Sequence, residues 1–307
     1  MQGVFEGFAT IVVVIALGVL LAQLGVLDLT AQRVLSRLSF FVASPALMVT
    51  VLGHADVTRV LSRSLVATAS GVLVCGALYL VVSRLVWPKP LGETVVGTLS
   101  AVYVNAGNLG IPIAAYVLGD AALVAPTLLL QLLVLQPIAL ALLDHDVSDR
   151  RFSVARAMTR PLTNPLTVGS LLGLLLAVTG ATLPRAVSDP LELVAGMAVP
   201  AMLIAYGISL RLGPRPGHGT SMTEIGVITV LKLGIQPLVA YVVGRWLLDL
   251  DALALFAVTV LAALPTAQNI FVHATRYGRG VVLARDSIFL TTVLSVPVIA
   301  VIAALVS

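Results

Sequence analysis

The sequence predicts an all-α membrane protein in which ten transmembrane helices form two inverted five-helix repeats. Three observations predict this fold. The chain of 307 residues is 59% hydrophobic and 10% charged, with a mean hydropathy of +1.08, and soluble globular domains do not have this composition. Short charged loops separate apolar stretches of the length that a bilayer-spanning helix requires. Two of these stretches are interrupted near their centres, at matching places in the two halves.

The predicted helices follow from the spacing of charged residues and prolines. Residues 7–27 form an uncharged run of 21 residues. This run is too long for a signal peptide and no basic segment precedes it, so we interpret it as the first span. The other predicted spans are residues 34–53, 64–83, 94–119, 121–143, 162–183, 193–210, 225–248, 252–275 and 287–307.

The two halves of the chain resemble each other weakly but in the same order. Spans two and seven share a Pro-Ala pair, at Pro45 and Pro200. Spans three and eight end in similar segments, Tyr-Leu-Val-Val-Ser-Arg from position 79 and Tyr-Val-Val-Gly-Arg from position 241. Prolines also mark spans four and nine, and spans five and ten. Five is an odd number, so the second copy must enter the membrane from the opposite side. We predict repeats at 1–143 and 161–307, joined by a cytoplasmic connector at 144–160, in one membrane domain.

Lysine and arginine distribution predicts the orientation. Loops after the odd-numbered spans carry 13 of the 18 basic residues, loops on the other side carry 4, and Lys232 lies within a span. Because basic loops stay in the cytoplasm, both termini are predicted to lie outside, in a multi-pass protein of the cell membrane. The net charge of +4 therefore reflects topology, and we expect no nucleic-acid partner.

Spans four and nine each contain a segment that breaks a helix. The fourth has two amides, two glycines and a proline between Asn105 and Pro112, and the ninth has a proline and two amides between Pro265 and Asn269. Proline and glycine weaken a helix, and the freed backbone groups must be buried in protein or line a wet cavity. Each second half-helix then presents a partly positive N-terminus, which favours an anion. The predicted substrate-binding residues are Asn105, Gly107, Asn108, Gly110, Pro112, Pro265, Thr266, Gln268 and Asn269.

Lys232 is the charged residue that lies most clearly within a predicted span, about seven residues into span eight. An intramembrane charge is costly and functional by default. Three interpretations remain open: it neutralises the carbonyl ends of the first half-helices, it handles the substrate or a proton, or its side chain reaches the cytoplasmic interface. Glu93, Asp120 and Asp286 are all placed at predicted span ends. His273 follows the broken stretch of span nine and could line the transport path, although packing near the interface is favoured.

These motifs resemble those of a known family. Asn105-x-Gly-Asn-x-Gly-x-Pro112, Pro265-Thr-Ala-x-Asn269 and a lysine-containing span eight that continues to Gln236-Pro237 are similar to the auxin efflux carrier family, which includes plant PIN carriers and bacterial transporters, some of them named for malonate. The resemblance implies ten helices, an inverted repeat with two crossed broken helices, export or exchange of organic anions, and a homodimer. The 144–160 connector is much shorter than the central loop of the long plant carriers, which makes the chain more similar to the bacterial members.

The sequence therefore predicts a secondary transporter that moves a small organic anion through the lipid bilayer by alternating access. It predicts no cofactor or metal, since no HExxH or Cys/His ligand spacing occurs. A sodium-coupled symporter of the bile-acid type is the alternative, disfavoured because no carboxylate is predicted at mid-span. The sequence contains no GxSG, GxGD or HExxH motif that would support an intramembrane enzyme. A non-transporting sensor would be expected to carry a soluble signalling domain, which the sequence does not predict.

Overall fold

The computed structural model describes residues 2–54, 63–110, 113–114, 118, 121–147, 165–213 and 221–306. Within these ranges the regular secondary structure is helical, apart from one isolated β-bridge between two extended residues. The helices are α1 (Gln2–Gln23), α2 (Leu29–Gly53), α3 (Arg63–Val86), α4 (Leu91–Val102), α5 (Pro126–Asp146), α6 (Pro165–Thr179), α7 (Arg185–Leu212), α8 (Met222–Leu247), α9 (Ala252–Ala262), α10 (Asn269–Tyr277) and α11 (Val281–Val306).

Six of the described helices are long and apolar enough to cross a membrane, namely α2, α3, α5, α7, α8 and α11. Shorter apolar helices are α4, α9 and the 12–23 part of α1. Large apolar side chains cover the outer surface, such as Leu73, Trp246 and Leu305, which are 70–79% exposed. A surface of this kind is stable only in contact with lipid. The protein is therefore a multi-pass membrane protein.

Prolines determine where several helices widen into π turns. The π turns Ser39–Ala43, Leu130–Leu135 and Leu231–Ile235 each end two residues before a proline. The Ala106–Gly110 π turn after α4 has the same relation to the next proline in the sequence. Proline removes a donor and crowds the preceding turn, and a wider turn relieves that crowding.

Two helix pairs in close backbone contact form a frame. α1 packs along α7, and α6 packs along α2. In the first pair, a Cβ added to Gly18 would lie 2.5 Å from the carbonyl oxygen of Ile204. In the second, a Cβ added to Gly173 would lie 2.7 Å from the carbonyl oxygen of Met48 and 3.1 Å from that of Val49. Small residues of this kind allow membrane helices to approach closely and pack tightly.

These two glycine contacts are related by one sequence offset. Gly173 follows Gly18 by 155 residues (173 minus 18), and Ile204 follows Val49 by the same 155 (204 minus 49). The α1–α7 contact thus corresponds to the α6–α2 contact with the halves exchanged. The remaining helices, α3 to α5 and α8 to α11, pack around the segments that interrupt the fourth and ninth spans.

Candidate substrate site at a helix crossing

Two interrupted helices meet through their backbones. α4 ends at Val102 and α9 ends at Ala262, and the segments that follow them are extended where they cross. Val104 and Thr266 form an antiparallel bridge. The Asn105 N–H donates to the carbonyl oxygen of Pro265 at 2.8 Å. The Ala267 N–H donates to that of Tyr103 at 3.1 Å. Backbone groups freed by each break are therefore satisfied by the other break, as burial in a membrane requires.

The crossing is symmetric within the chain. Residues 103, 104 and 105 correspond to residues 265, 266 and 267 at an offset of 162 (266 minus 104). This offset converts the first backbone hydrogen bond into the second and maps the bridge onto itself. This relation is the local twofold symmetry that every antiparallel bridge has.

Side chains reinforce the crossing. The Asn105 amide donates to the Gln268 side-chain oxygen at 2.8 Å, and both side chains are buried. The Thr266 hydroxyl donates to the Ser100 carbonyl oxygen in α4 at 2.6 Å. The Thr266 N–H donates to the Thr291 hydroxyl in α11 at 3.1 Å. The crossing is thus tied to α4 and α11 by hydrogen bonds between buried groups.

A cavity of about 180 Å³ adjoins the crossing. One wall comes from the frame helices α2 and α7, through apolar side chains such as Met48 and Met202. The opposite wall comes from α5, the crossing and α10. Its polar members are Tyr103, Asn105, Gln131, Gln136, Gln268, Asn269 and His273, and α2 adds Ser44. No Lys, Arg, Asp or Glu is found among the described residues that line this cavity.

Several polar atoms of the cavity wall have no hydrogen-bond partner within the described part of the chain. They are Gln131 Oε1, Gln136 Nε2, Asn269 Oδ1 and both ring nitrogens of His273. Gln136 uses its oxygen to accept from the Tyr103 hydroxyl at 3.3 Å. A buried polar group without a partner costs about 1–3 kcal/mol. Both donors and acceptors are therefore available to a polar ligand in this cavity.

The structure brings together four of the predicted substrate-binding residues. Asn105, Gly107, Gln268 and Asn269 all line the cavity. A Cβ added to Gly107 would meet nothing within 4 Å, so this residue faces open space.

Other predicted positions lie elsewhere. Pro265 and Thr266 do not line the cavity and take part in the hydrogen bonds of the crossing. Gly110 is packed against Val124 and Leu264. The side chain of Asn108 and the whole of Pro112 lie outside the described residues.

Lys232 lies on another side of the crossing and does not line the cavity. It is fully buried, and its Nζ donates to the Gln236 side-chain oxygen at 3.0 Å. The Gln236 amide in turn donates to the carbonyl oxygen of Val102 at 3.1 Å. Val102 is the last residue of α4, where carbonyls lack helical partners and carry partial negative charge. Of the three interpretations of Lys232, this geometry favours neutralisation of a half-helix end.

Two carboxylates are deeply buried, and the burial of one of them, Asp286, differs from the prediction. Asp286 was placed at a span end, yet it is the sixth residue of α11 and is 3% exposed. It forms an ion pair with Arg285. Glu224, near the start of α8, is fully buried and accepts from Lys89 at 2.6 Å and from Tyr79 at 2.7 Å. Each carboxylate is thus neutralised by a neighbouring cation, and neither lines the cavity.

Sequence reasoning missed the contribution of α5 and, for His273, favoured the interface over the transport path. Gln131 and Gln136 are polar residues within an apolar span, followed by Pro137, and that combination could have marked them. His273 was expected near the interface but lines the cavity and is 3% exposed. It follows Asn269 by four residues, so the two lie on one face of α10.

Comparisons with known proteins agree with this architecture. A family model described as "Membrane transport protein" matches residues 3–145 and 144–303. A protein of Methanothermobacter thermautotrophicus named "Uncharacterized transporter" is 29% identical over 300 residues, covering 96% of this chain and 95% of that protein. A Rhizobium meliloti protein named "Putative malonate transporter" is 25% identical over 302 residues, covering 92% and 89% of the two chains. The chain thus belongs to the membrane transport protein family that contains the auxin efflux carriers.

Proposed function

We propose that this protein is a secondary transporter that moves a small organic anion, a carboxylate, across the cell membrane by alternating access. One observation carries the proposal: two broken helices cross beside a cavity whose wall includes amide atoms, Gln131 Oε1, Gln136 Nε2 and Asn269 Oδ1, that have no hydrogen-bond partner within the described part of the chain. Discontinuous helices that meet at mid-membrane are how many secondary transporters build a substrate site. The proposed role is a carrier and not an enzyme, in agreement with membership in a transporter family.

An anion suits this site better than a cation. α10 begins at Asn269 on the cavity wall, and a helix N-terminus carries a partial positive charge of about half an elementary unit. No described carboxylate lines the cavity to attract a cation or repel an anion. The amides of Asn105, Gln136 and Gln268 include donors that can orient a carboxylate. The malonate named for the Rhizobium relative is a carboxylate of this class.

The cavity favours a small substrate. Its volume of about 180 Å³ corresponds to about six water molecules at the liquid volume of roughly 30 Å³ each. Sites for larger organic ligands usually measure about 300–1,000 Å³. A short mono- or dicarboxylate therefore suits this cavity, whereas a bile-acid-sized ligand does not. The two buried carboxylates are already paired with cations, so they do not favour the sodium-coupled alternative.

The proposed mechanism uses ten helices in an inverted five-plus-five repeat. The offset of 155 in the frame supports such a repeat, and the bridge at the crossing joins the two spans that the repeat makes equivalent. The cavity lies between the frame helices and the helices that hold the crossing. We propose that α3 to α5 and α8 to α11 shift as one unit against the frame of α1, α2, α6 and α7, as in an elevator. A homodimer with both termini outside the cytoplasm completes this proposal.

Uptake by proteoliposomes tests the proposed function. Purified protein is reconstituted and presented with a panel of labelled mono- and dicarboxylates, with and without sodium and with and without a pH gradient. We expect saturable uptake of at least one short carboxylate, and none by protein-free liposomes. Uptake should fall strongly in Gln268→Glu, because a carboxylate at the crossing repels an anion. Failure of the folded protein to carry any carboxylate would contradict the proposal.

A further inference from the structure

His273 is an ionisable residue in the cavity wall, and the proposed carrier function gives it no role so far. It is 3% exposed, and neither ring nitrogen has a hydrogen-bond partner within the described part of the chain. The His273 ring packs edge-on against the apolar ring of Phe40, with the ring centroids 5.9 Å apart. A packing role would be served equally by an apolar ring. The two unpartnered nitrogens therefore point to a ligand in the cavity.

The position of His273 suits contact with an anion at the crossing. Asn269 begins α10, and His273 follows one turn later on the same helix face. Both residues line the cavity, and Asn269 Oδ1 is also without a described partner. A ligand that reaches the start of α10 can therefore contact the imidazole as well.

The cavity contains no other described group that can become a cation. Lys232 is directed to Gln236 and the end of α4. Arg276, the next basic residue on α10, lies with its guanidinium 4.8 Å from the centre of the Phe41 ring. An anion transferred from water into this cavity would consequently lack a full compensating charge. Burial of an unpaired charge is strongly unfavourable.

The titratable groups on the helices that pack against α10 have partners elsewhere or do not line the cavity. These helices are α2, α4, α5, α7 and α11. Groups with a named partner are Arg33 with the Leu29 carbonyl oxygen, Glu93 with Lys89, Asp144 with Tyr277, Asp146 with Arg279, and Arg285 with Asp286. The other groups do not line the cavity; they are Arg37, His145, Arg185, Asp189, Glu192, Tyr206 and Arg211. Tyr103, at the end of α4, shares the cavity with His273, and its hydroxyl donates to Gln136.

We propose that His273 binds the transported carboxylate and takes up a proton with it, so that one anion and one proton cross together. Burial disfavours a charged imidazole in the empty site, and a neighbouring anion favours it. The proton enters from the side where the anion binds and is released where the anion leaves. The imidazolium then supplies the charge that the cavity otherwise lacks. This inference rests on the proposed carrier function and specifies its coupling.

The test compares wild type with His273→Gln, which keeps hydrogen-bonding capacity but cannot take a proton. The probe is labelled malonate, or the panel carboxylate with the largest uptake if malonate is not carried. Between about pH 5 and pH 8, we expect the KM of wild type to rise with pH, approaching tenfold per unit for one linked proton. His273→Gln should have a KM with no such slope. A pH-sensitive dye inside the liposomes should report acidification with anion uptake by wild type and not by His273→Gln.

His54→Gln is the matched control, since His54 is exposed and does not line the cavity. It should keep the wild-type slope, and the ionisation of the substrate itself is common to all three proteins. An equal KM slope in His273→Gln, or anion uptake by wild type without acidification, would overturn the coupling while leaving the carrier function intact. If wild type carries no carboxylate, both proposals fall. If His273→Gln does not fold, the dye measurement on wild type decides.

Discussion

The side-chain amide of Asn105 donates a 2.8 Å hydrogen bond to the side-chain oxygen of Gln268, which is 163 residues away in the chain. The bond joins the two broken helices at the place where both line the cavity. A charge introduced at Asn105 or Gln268 would therefore interact electrostatically with both helices and with any ligand between them.

Asn105→Ala should lower kcat/KM for the carried anion by about tenfold, since an unpartnered buried amide costs roughly 1–3 kcal/mol. Asn105→Asp should lower it further, because a carboxylate would then occupy the anion site and face the oxygen of Gln268. Initial rates in proteoliposomes, normalised to reconstituted protein, measure both effects. Gln32→Glu serves as control, since Gln32 is a buried amide paired with Ser36 in α2 and does not line the cavity. Equal rates in Asn105→Asp and wild type would exclude this site.

Lys232 is expected to act on substrate indirectly, by supporting the end of α4. Lys232→Met and Gln236→Leu should each lower the unfolding temperature and the transport rate, because each breaks the chain from Nζ to the Val102 carbonyl. The double variant should lose less than the sum, since residues in one hydrogen-bond network couple by about 0.5–3 kcal/mol. Lys232→Arg should retain part of the activity. Thermal unfolding in detergent and uptake assays measure this, and strictly additive losses would contradict the shared network.

Gly107 offers a direct probe of the cavity. In a Cys75→Ser background, Gly107→Cys should react readily with a small thiol reagent, because a side chain there meets open space. Saturating substrate should slow the reaction. Gly110→Cys should react slowly, since its Cβ would lie 2.9 Å from Val124. Mass spectrometry of the labelled protein follows both reactions, and identical rates at the two positions would show that the cavity does not reach Gly107.

The glycine contacts of the frame predict a pattern of stability. Gly18→Ala and Gly173→Ala should each destabilise the protein by about 1–3 kcal/mol, the usual range for overpacking. The controls are Gly226→Ala and Gly234→Ala in α8, where an added Cβ meets nothing within 4 Å. These controls should leave the unfolding temperature unchanged or raise it, because alanine favours helix over glycine. A control as unstable as Gly18→Ala would remove the argument from backbone contact.

The orientation of the chain can be checked with reporter fusions. The 13-to-4 asymmetry of basic residues predicts that residue 307 lies outside and that the 144–160 connector lies in the cytoplasm. A reporter that needs the cytoplasm should be inactive when fused after Ser307 and active when inserted at Arg150. The opposite pattern would reverse the topology.

Part of this architecture could be predicted from the sequence, because helix breakers leave strong signals. Proline and glycine at 107–112 and at 265 identified both interruptions, and composition identified the all-helical membrane class. The partnership of Asn105 with Gln268 could not be predicted, because it depends on how two distant segments cross. The position of Asp286 could not be predicted, because a charged residue is expected at the end of a span, whereas α11 begins five residues before it.

The role of α5 was hidden for a geometric reason. Gln131 and Gln136 are five residues apart, and in a regular α-helix they would point about 140° apart. The π turn Leu130–Leu135 closes bonds five residues apart, which brings positions at that spacing to one face. Both side chains therefore line the cavity. A periodicity of 3.6 applied to the sequence assigns them to different faces.

The bridge at the crossing also bears on how this chain can change in evolution. Its pairing uses main-chain atoms, so Tyr103-Val104-Asn105 and Pro265-Thr266-Ala267 occupy equivalent places without one residue in common. Selection is therefore free to alter the identity of many of these residues, provided that the backbone stays extended and keeps its donors. Proline at position 105 or 267 is the substitution that this freedom does not include, because either one deletes a donor of the pair. The pairing at the crossing therefore constrains backbone geometry more strongly than side-chain identity.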